Sequence, residues 1–443
     1  MIYIVGTFDT KAVEIGYLHD LLSDGSIQVR TIDVDTRSTL AQMDVPQIDV
    51  AKYHPEGTAR VLGLAQRGQA VAAMTTAFAN YSKAHSSQID AIIGIGGVGS
   101  TSIITVGMRK LPYGVPKVMV STLASGDVAP FIGTSGIMMM PSVTDIAGLN
   151  KISSHILHNA AHSVLGMASH PYIAQDVAKP SVGLSMFGVT TLSVTQITEQ
   201  LKDQLECVVF HATGTGGRSM EQLLDQNMLD GLIDITTTEI ADKLVGGVFS
   251  TVANRLDAVI ASGKPYVGSV GVLDMVNFWA PDTVPEKFSD RLFYHHNSNV
   301  TLMRTDAEEC AQIGAWIATK LNTATRPVCL LLPEKGVSEL DISNGPFWNP
   351  HADAALFDAL EHNLNQTDNR RILRLPYHIN DPAFSAVAAQ AYLDITKENP
   401  CQQFPAHPYS RNSLPLSPKG NRSSVAAQEQ ACRQSRKRRA ALI

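Results

Sequence analysis

Residues 90–103 read DAIIGIGGVGSTSI, an apolar run leading into a glycine turn. Gly94, Gly96 and Gly99 formally satisfy G-x-G-x-x-G, and Ser100 or Thr101 can cap the helix that follows. Glycines let the backbone approach a ligand closely, and the unpaired amides of a helix start suit an anionic phosphate. A dinucleotide fingerprint also needs an acidic ribose ligand about 20 residues on, at the end of the next strand. That strand, KVMVSTLASGD, ends in Ser121-Thr122, and Asp127 comes late. This argues against NAD and for a phosphate-binding turn of another type, with a tight packing turn as the competing reading.

Two further turns follow predicted strands, at the end where open α/β sheets bind ligands. In Gly6-Thr7-Phe8-Asp9-Thr10-Lys11, the threonines offer hydroxyls. Asp9 could hold a magnesium ion or a ribose, and Lys11 could reach a phosphate. Helix capping by Asp9 or Thr10 explains the same residues equally well. Ser121-Thr122-Leu123-Ala124-Ser125-Gly126-Asp127 makes a cradle for an anion or sugar hydroxyl, or a plain turn. Three such turns on one sheet converge on one edge, which favours a nucleotide or phosphometabolite site. In the second half, the run from His211 to Ser219 (HATGTGGRS) has the same character, with Arg218 as a phosphate partner. Glu239, after another strand, or His211 could act as a general base, although no spacing compels it.

Other chemistries lack their signatures. No G-x-x-x-x-G-K-[ST], G-x-S-x-G or H-E-x-x-H occurs, which excludes a P-loop NTPase at the motif level. Histidines 155, 158 and 162 share one predicted helix face, and no carboxylate or cysteine is spaced to complete a metal shell, so no metal site is assigned. Met138–Met140 reads as core filler, and the run 333–341, PEKGVSELD, as a solvated charged loop.

The elements that must position these turns follow from hydrophobic periodicity. Strands are predicted at 2–5, 28–34, 91–95, 117–120, 182–187, 207–210, 232–235, 266–270, 292–295, 328–332 and 372–375. Helices are predicted at 11–22, 57–84, 100–110, 150–169, 192–205, 220–229, 250–261, 306–321, 353–362 and 382–394. Such alternation implies an α/β fold of parallel sheets flanked by helices. The halves share a plan, so two Rossmann-like domains are expected, 1–178 and 179–397, with a cleft between them. From 398 to 443 the periodicity collapses, and a disordered basic tail is expected.

Composition bounds the rest. The chain has 443 residues, 44% hydrophobic and 17% charged, enough for two or three cored domains. Residues 401–443 carry eight Lys/Arg and one Glu, a net of +7, so residues 1–400 stand at −13. An acidic body is a poor nucleic-acid surface, and nucleic acid is not an expected partner. No apolar run approaches the roughly 18 residues of a membrane span, so no membrane association is expected. The start has no basic n-region, and the five scattered cysteines suggest no disulfide framework; a cytoplasmic location is expected.

In order, MIYIVGTFDTK, GIGGVGSTS, STLASGD, HATGTGGRSME, SVGVLDMVNF and PEKGVSELD resemble one family. It is the family that shares the ATP-binding domain of the tomato mosaic virus resistance protein, most of whose members are uncharacterised microbial proteins. The resemblance covers about residues 1–397 and omits the basic tail. It implies two Rossmann-like subdomains, ATP binding in the N-terminal one, and a homodimer. Joined to the turns, it sets the triphosphate against Gly96, Gly97, Gly99 and Ser100. Thr7, Asp9 and Lys11 would flank it, and Thr122, Ser125, Gly126 and Asp127 would close the other side, with ATP and magnesium as cofactors. Substrate-binding candidates on the second domain are His211, Thr213, Gly214, Gly216, Gly217, Glu239, Asp274 and Asn277; no catalytic residue is assigned. The expected protein binds ATP and has a small-molecule site in the interdomain cleft. One reading is a metabolic enzyme; the other is a non-catalytic, nucleotide-gated module that recognises a protein partner.

Overall fold

A computed structural model describes residues 1–23, 27–37, 42–172, 179–250 and 255–397. The expected tail at 398–443 lies outside the described residues, as do 173–178 at the expected domain boundary and 251–254 of one expected helix.

Five strands form the first sheet: β1 (Ile2–Gly6), β2 (Val29–Asp33), β3 (Ala91–Gly96), β4 (Lys117–Ser121) and β5 (Ile137–Pro141). All pair in parallel, in the order β2-β1-β3-β4-β5. Ile2, Tyr3, Ile4 and Val5 are all buried, as a parallel strand covered on both faces requires. On one face, Tyr3 and Val5 join Met74, Ala77 and Phe78 of the helix Arg67–Ala84 and Ile103, Ile104 and Met108 of the helix Val98–Met108. On the other, Ile2 and Ile4 meet Ile15, Leu18 and Leu22 of the helix Phe8–Ser23 and Leu157, Ala160 and Val164 of the helix Lys151–Ser169.

The second half continues with β6 (Ser181–Met186), β7 (Glu206–His211), β8 (Gly231–Thr236) and β9 (Tyr266–Gly271). Then come β10 (Met275–Phe278), β11 (Phe293–Asn297), β12 (Val300–Arg304), β13 (Val328–Pro333) and β14 (Arg370–Leu375). A six-stranded parallel sheet runs β14-β13-β9-β8-β6-β7, while β10, β12 and β11 make a separate antiparallel sheet. Counted from its own first strand, the large second sheet repeats the order of the first with one strand added. Both are doubly wound. The chain is therefore an α/β protein of two Rossmann-like domains with helix-flanked parallel sheets, as the alternation predicts.

Every predicted strand is present to within two residues at each end, but β5, β10 and β12 escape the periodicity. Met138–Met140 forms most of β5, an edge strand: Met139 and Met140 pack half-buried against the two cores as expected, while Met138 is 44% exposed. The predicted helix 57–84 breaks into a short 3₁₀ turn, Thr58–Arg60, and the helix Arg67–Ala84, with Gly63 at φ +90° between them. The 333–341 loop is not simply solvated. Val337, Ser338 and Asp341 are buried, because Asp341 accepts from the Val337 amide and Ser338 donates to Asp274.

The helices Arg67–Ala84 and Val98–Met108 approach each other at Gly107. A Cβ there would lie 2.3 Å from Phe78 Cε1 and 2.7 Å from Ser82 Oγ. Gly107→Ala should force the helices apart and cost about 1–3 kcal/mol, read from the urea unfolding midpoint. Gly114→Ala, where nothing lies within 4 Å, should leave that midpoint unchanged.

Candidate functional site

At the C-terminal edge of the first sheet, β1 lies between β2 and β3, and the helices after β1 and β3 pack on opposite faces. Chains diverging from adjacent strands open a crevice. Here it is a cavity of about 390 Å³, within the range of small-molecule sites. Every residue lining it falls between 7 and 103, so it belongs wholly to the first domain.

One wall is the start of the helix Val98–Met108. Its N-cap is Gly97, which has no side chain to cap it. The amides of Val98, Gly99 and Ser100 therefore have no intrahelical acceptor. Gly97, Val98, Gly99 and Ser100 all line the cavity. A Cβ on Gly99 would meet nothing within 4 Å, and one on Gly97 would meet only Thr122 Oγ1 at 3.7 Å. Packing does not demand glycine at either position. Bare backbone instead leaves a cradle for an oxyanion at close range. Gly96 differs: a Cβ there would lie 2.4 Å from Ser100 Cβ, so this glycine lets the turn close.

The turn after β1 meets the turn after β3 where Thr7 Oγ1 lies 3.5 Å from Ser100 Oγ. Thr10 Oγ1 donates to Asp9 Oδ1 at 2.9 Å, and Lys11 Nζ is anchored on the Ile146 carbonyl at the cavity margin. The structure thus gathers Thr7, Asp9, Lys11, Gly97, Gly99 and Ser100 around one cavity. Thr122 stands behind Gly97. Ser125, Gly126 and Asp127 are exposed and are not among the lining residues; Asp127 Oδ1 accepts the Ala129 amide at 3.0 Å.

The opposite wall, missed in the sequence, is the end of β2. Asp33 is fully buried, and its Oδ1 accepts the amides of Phe8 at 3.2 Å and Asp35 at 2.9 Å. Burial pushes its carboxyl up to about 6. Asp35 lines the cavity and is 5% exposed. Its Oδ1 accepts the amides of Thr36 and Arg37, at 2.6 and 3.2 Å, while Oδ2 is buried without a partner. Burial pushes this carboxyl up, as does Asp9, which lies within hydrogen-bonding reach. Arg37 and Arg67 add positive charge to the lining, and Val71 and Ile103 add apolar surface. The signal in the sequence is DVDTR, after the second predicted strand rather than after the strand that follows the glycine turn.

The second domain uses its glycine turn differently. The amides of Gly214 and Gly217 donate to Glu239 Oε1 at 2.6 and 3.0 Å. A Cβ on Gly217 would lie 1.9 Å from Glu239 Oε2, and one on Gly216 would lie 1.8 Å from the His211 carbonyl oxygen. The anion in this nest is the protein's own carboxylate. Glu239 in turn accepts from the buried Arg255, which also pairs with Asp234 and Glu221 at 2.7 Å each. His211 is exposed and stacks on Phe187 at 5.3 Å, beside Thr213. Asp274 and Asn277 are interior. Ser338 donates to Asp274 at 2.7 Å, and Asn277 Nδ2 donates to Thr238 and Asp242. The second-domain candidates therefore divide between a surface turn and the interior.

Two family models match the chain in succession. Residues 1–172 match the N-terminal domain, and residues 179–396 the C-terminal domain, of the uncharacterised protein family UPF0261. The chain belongs to this family. A UPF0261 protein of Mesorhizobium japonicum is 55% identical over 396 residues, covering 89% of this chain and 99% of that protein. A UPF0261 protein of Clostridium tetani is 40% identical over 401 residues, covering 90% and 99%. The ToMV resistance protein Tm-1(GCR237) of Solanum lycopersicum is 39% identical over 422 residues, covering 90% of this chain and 56% of that protein. The kinship implied by the motifs is thereby established.

Two stability tests follow from the buried charges of this UPF0261 chain. Arg255→Met leaves three buried carboxylates without their cation and should cost about 3–5 kcal/mol in urea unfolding. Lys202→Met removes only an exposed pair with Glu199 and should leave the midpoint unchanged. Burial and Asp341 push Asp274 up to about 7, against the pull of Arg304. Its folded value lies above its unfolded value of about 4. The stability that the protonated form contributes is therefore full below about pH 4 and lost as pH rises through 7. Asp274→Asn keeps an acceptor for Ser338 and should flatten the loss between pH 5 and 8 by on the order of 2 kcal/mol.

Proposed function

We propose that this protein binds ATP with magnesium in the first-domain cavity. The observation that carries this reading is the uncapped helix start at Gly97–Ser100, bare of side chains where it opens into the cavity. The amides of Val98, Gly99 and Ser100 and the hydroxyls of Thr7 and Ser100 would receive phosphate oxygens. Lys11, Arg37 and Arg67 would offset their charge. Val34, Val71 and Ile103 give the nucleoside an apolar wall. The family resemblance supplies the choice of ATP among nucleotides. With no P-loop lysine, backbone amides and the surrounding cations take over its role. This reading seats the nucleotide inside the first domain.

Calorimetric titration of ATP against the full chain and Gly97→Asp tests the reading. Aspartate is a favourable N-cap and has room here, so the variant should fold while repelling phosphate. Affinity should fall at least about tenfold, a difference of about 1.4 kcal/mol. Equal affinity would remove the glycine cradle from the site. NAD is the control: Asp35 stands at the end of β2, where dinucleotide folds place their ribose acid, but the glycine turn follows β3 rather than β1. NAD binding tighter than ATP would overturn the choice of nucleotide.

A further inference from the structure

We propose that Asp9 and Asp35 together form a divalent-cation subsite that is completed by the nucleotide's phosphates. This rests on the reading of the cavity as a nucleotide site and names the group that reading leaves without a place. The two carboxylates come from the ends of adjacent strands, β1 and β2, and lie within hydrogen-bonding reach of each other. Among the described residues, neither has a Lys or Arg within ion-pair distance. Their other contacts orient them: Thr10 holds Asp9 Oδ1, and the Thr36 and Arg37 amides hold Asp35 Oδ1. That leaves Asp35 Oδ2, on a residue 5% exposed that lines the cavity, with no donor.

A cation would suit this wall electrostatically. Asp9, Asp35 and the buried Asp33 behind them put three acids beside a site whose opposite wall invites phosphate. Two anionic groups a few ångströms apart repel by about 4 kcal/mol at an effective dielectric of 20. A divalent ion between them turns that repulsion into attraction. No group of three or more His, Cys, Asp or Glu suited to a metal occurs among the described residues, so the protein alone offers an incomplete shell. Magnesium is commonly held by one or two carboxylates, with substrate phosphates and waters filling the remaining positions. Cation and nucleotide should therefore bind cooperatively, each raising the affinity of the other by the same factor.

Electron paramagnetic resonance of free Mn²⁺ tests this on the full chain, with and without ATP, for the wild type, Asp35→Asn and Asp9→Asn. ATP binding is measured in parallel by calorimetry in EDTA and in Mn²⁺, and thermal melting confirms that the variants fold. In the wild type, ATP should raise protein-bound Mn²⁺ at least tenfold beyond what ATP alone takes up. Asp35→Asn should abolish that gain, so that its ATP affinity is the same in EDTA and in Mn²⁺. Wild-type ATP affinity that is the same in EDTA and Mn²⁺, or an Asp35→Asn protein with the full gain, would overturn the cation subsite and leave the nucleotide reading standing. Absence of ATP binding under both conditions would instead remove the nucleotide reading itself.

Discussion

The position of β1 between β2 and β3 is the constraint on which the first domain depends. Parallel pairing holds Gly6 level with Asp33 and Val5 level with Gly94. Two residues further along, Asp35 and Gly96 therefore flank the turn that begins at Thr7. Because the helices after β1 and β3 cover opposite faces, no element among the described residues fills the space above that turn. The cavity, the bare helix start and the acid pair are consequences of one strand order.

The second domain shows what the same order does when the space is closed internally. Its glycine turn also presents amides to an anion, but Glu239 occupies them from below, backed by Arg255. One guanidinium then serves three carboxylates, Glu239, Asp234 and Glu221, with Tyr266 adding a hydroxyl to Asp234 at 3.0 Å. Burying such a cluster costs desolvation that a ligand site would not incur, and it makes the turn rigid. Two turns of similar sequence thus have opposite fates. One is open where its glycines meet empty space; the other is filled where a glycine Cβ would strike a carboxylate.

Much of the fold was legible because buried parallel strands such as IYIVG and VCLLLP are continuous apolar runs. Strands β10 and β12 and the β5 edge were not; MVNF and IMMMP, for example, each carry a single β-branched residue and no strict alternation. The glycine cradle could be found from spacing alone. Asp35 could not, since its partner Asp9 is 26 positions away in the chain and only the sheet order makes them neighbours. Asp274 and Glu239 follow strands, and the sequence shows such polar residues without showing that they are buried. The loop 333–341 misled for the converse reason: its charges frame buried contacts of Val337, Ser338 and Asp341.

The central claim is that the glycine turn after β3, and not the glycine turn after β7, receives an anionic ligand. Amide hydrogen exchange of the full chain, with and without ATP and magnesium, distinguishes them directly. The account predicts new protection in peptides spanning 97–103 and 33–37, with none in those spanning 211–219, where Glu239 already holds the amides. Protection appearing at 211–219 while 97–103 stayed unchanged would contradict it.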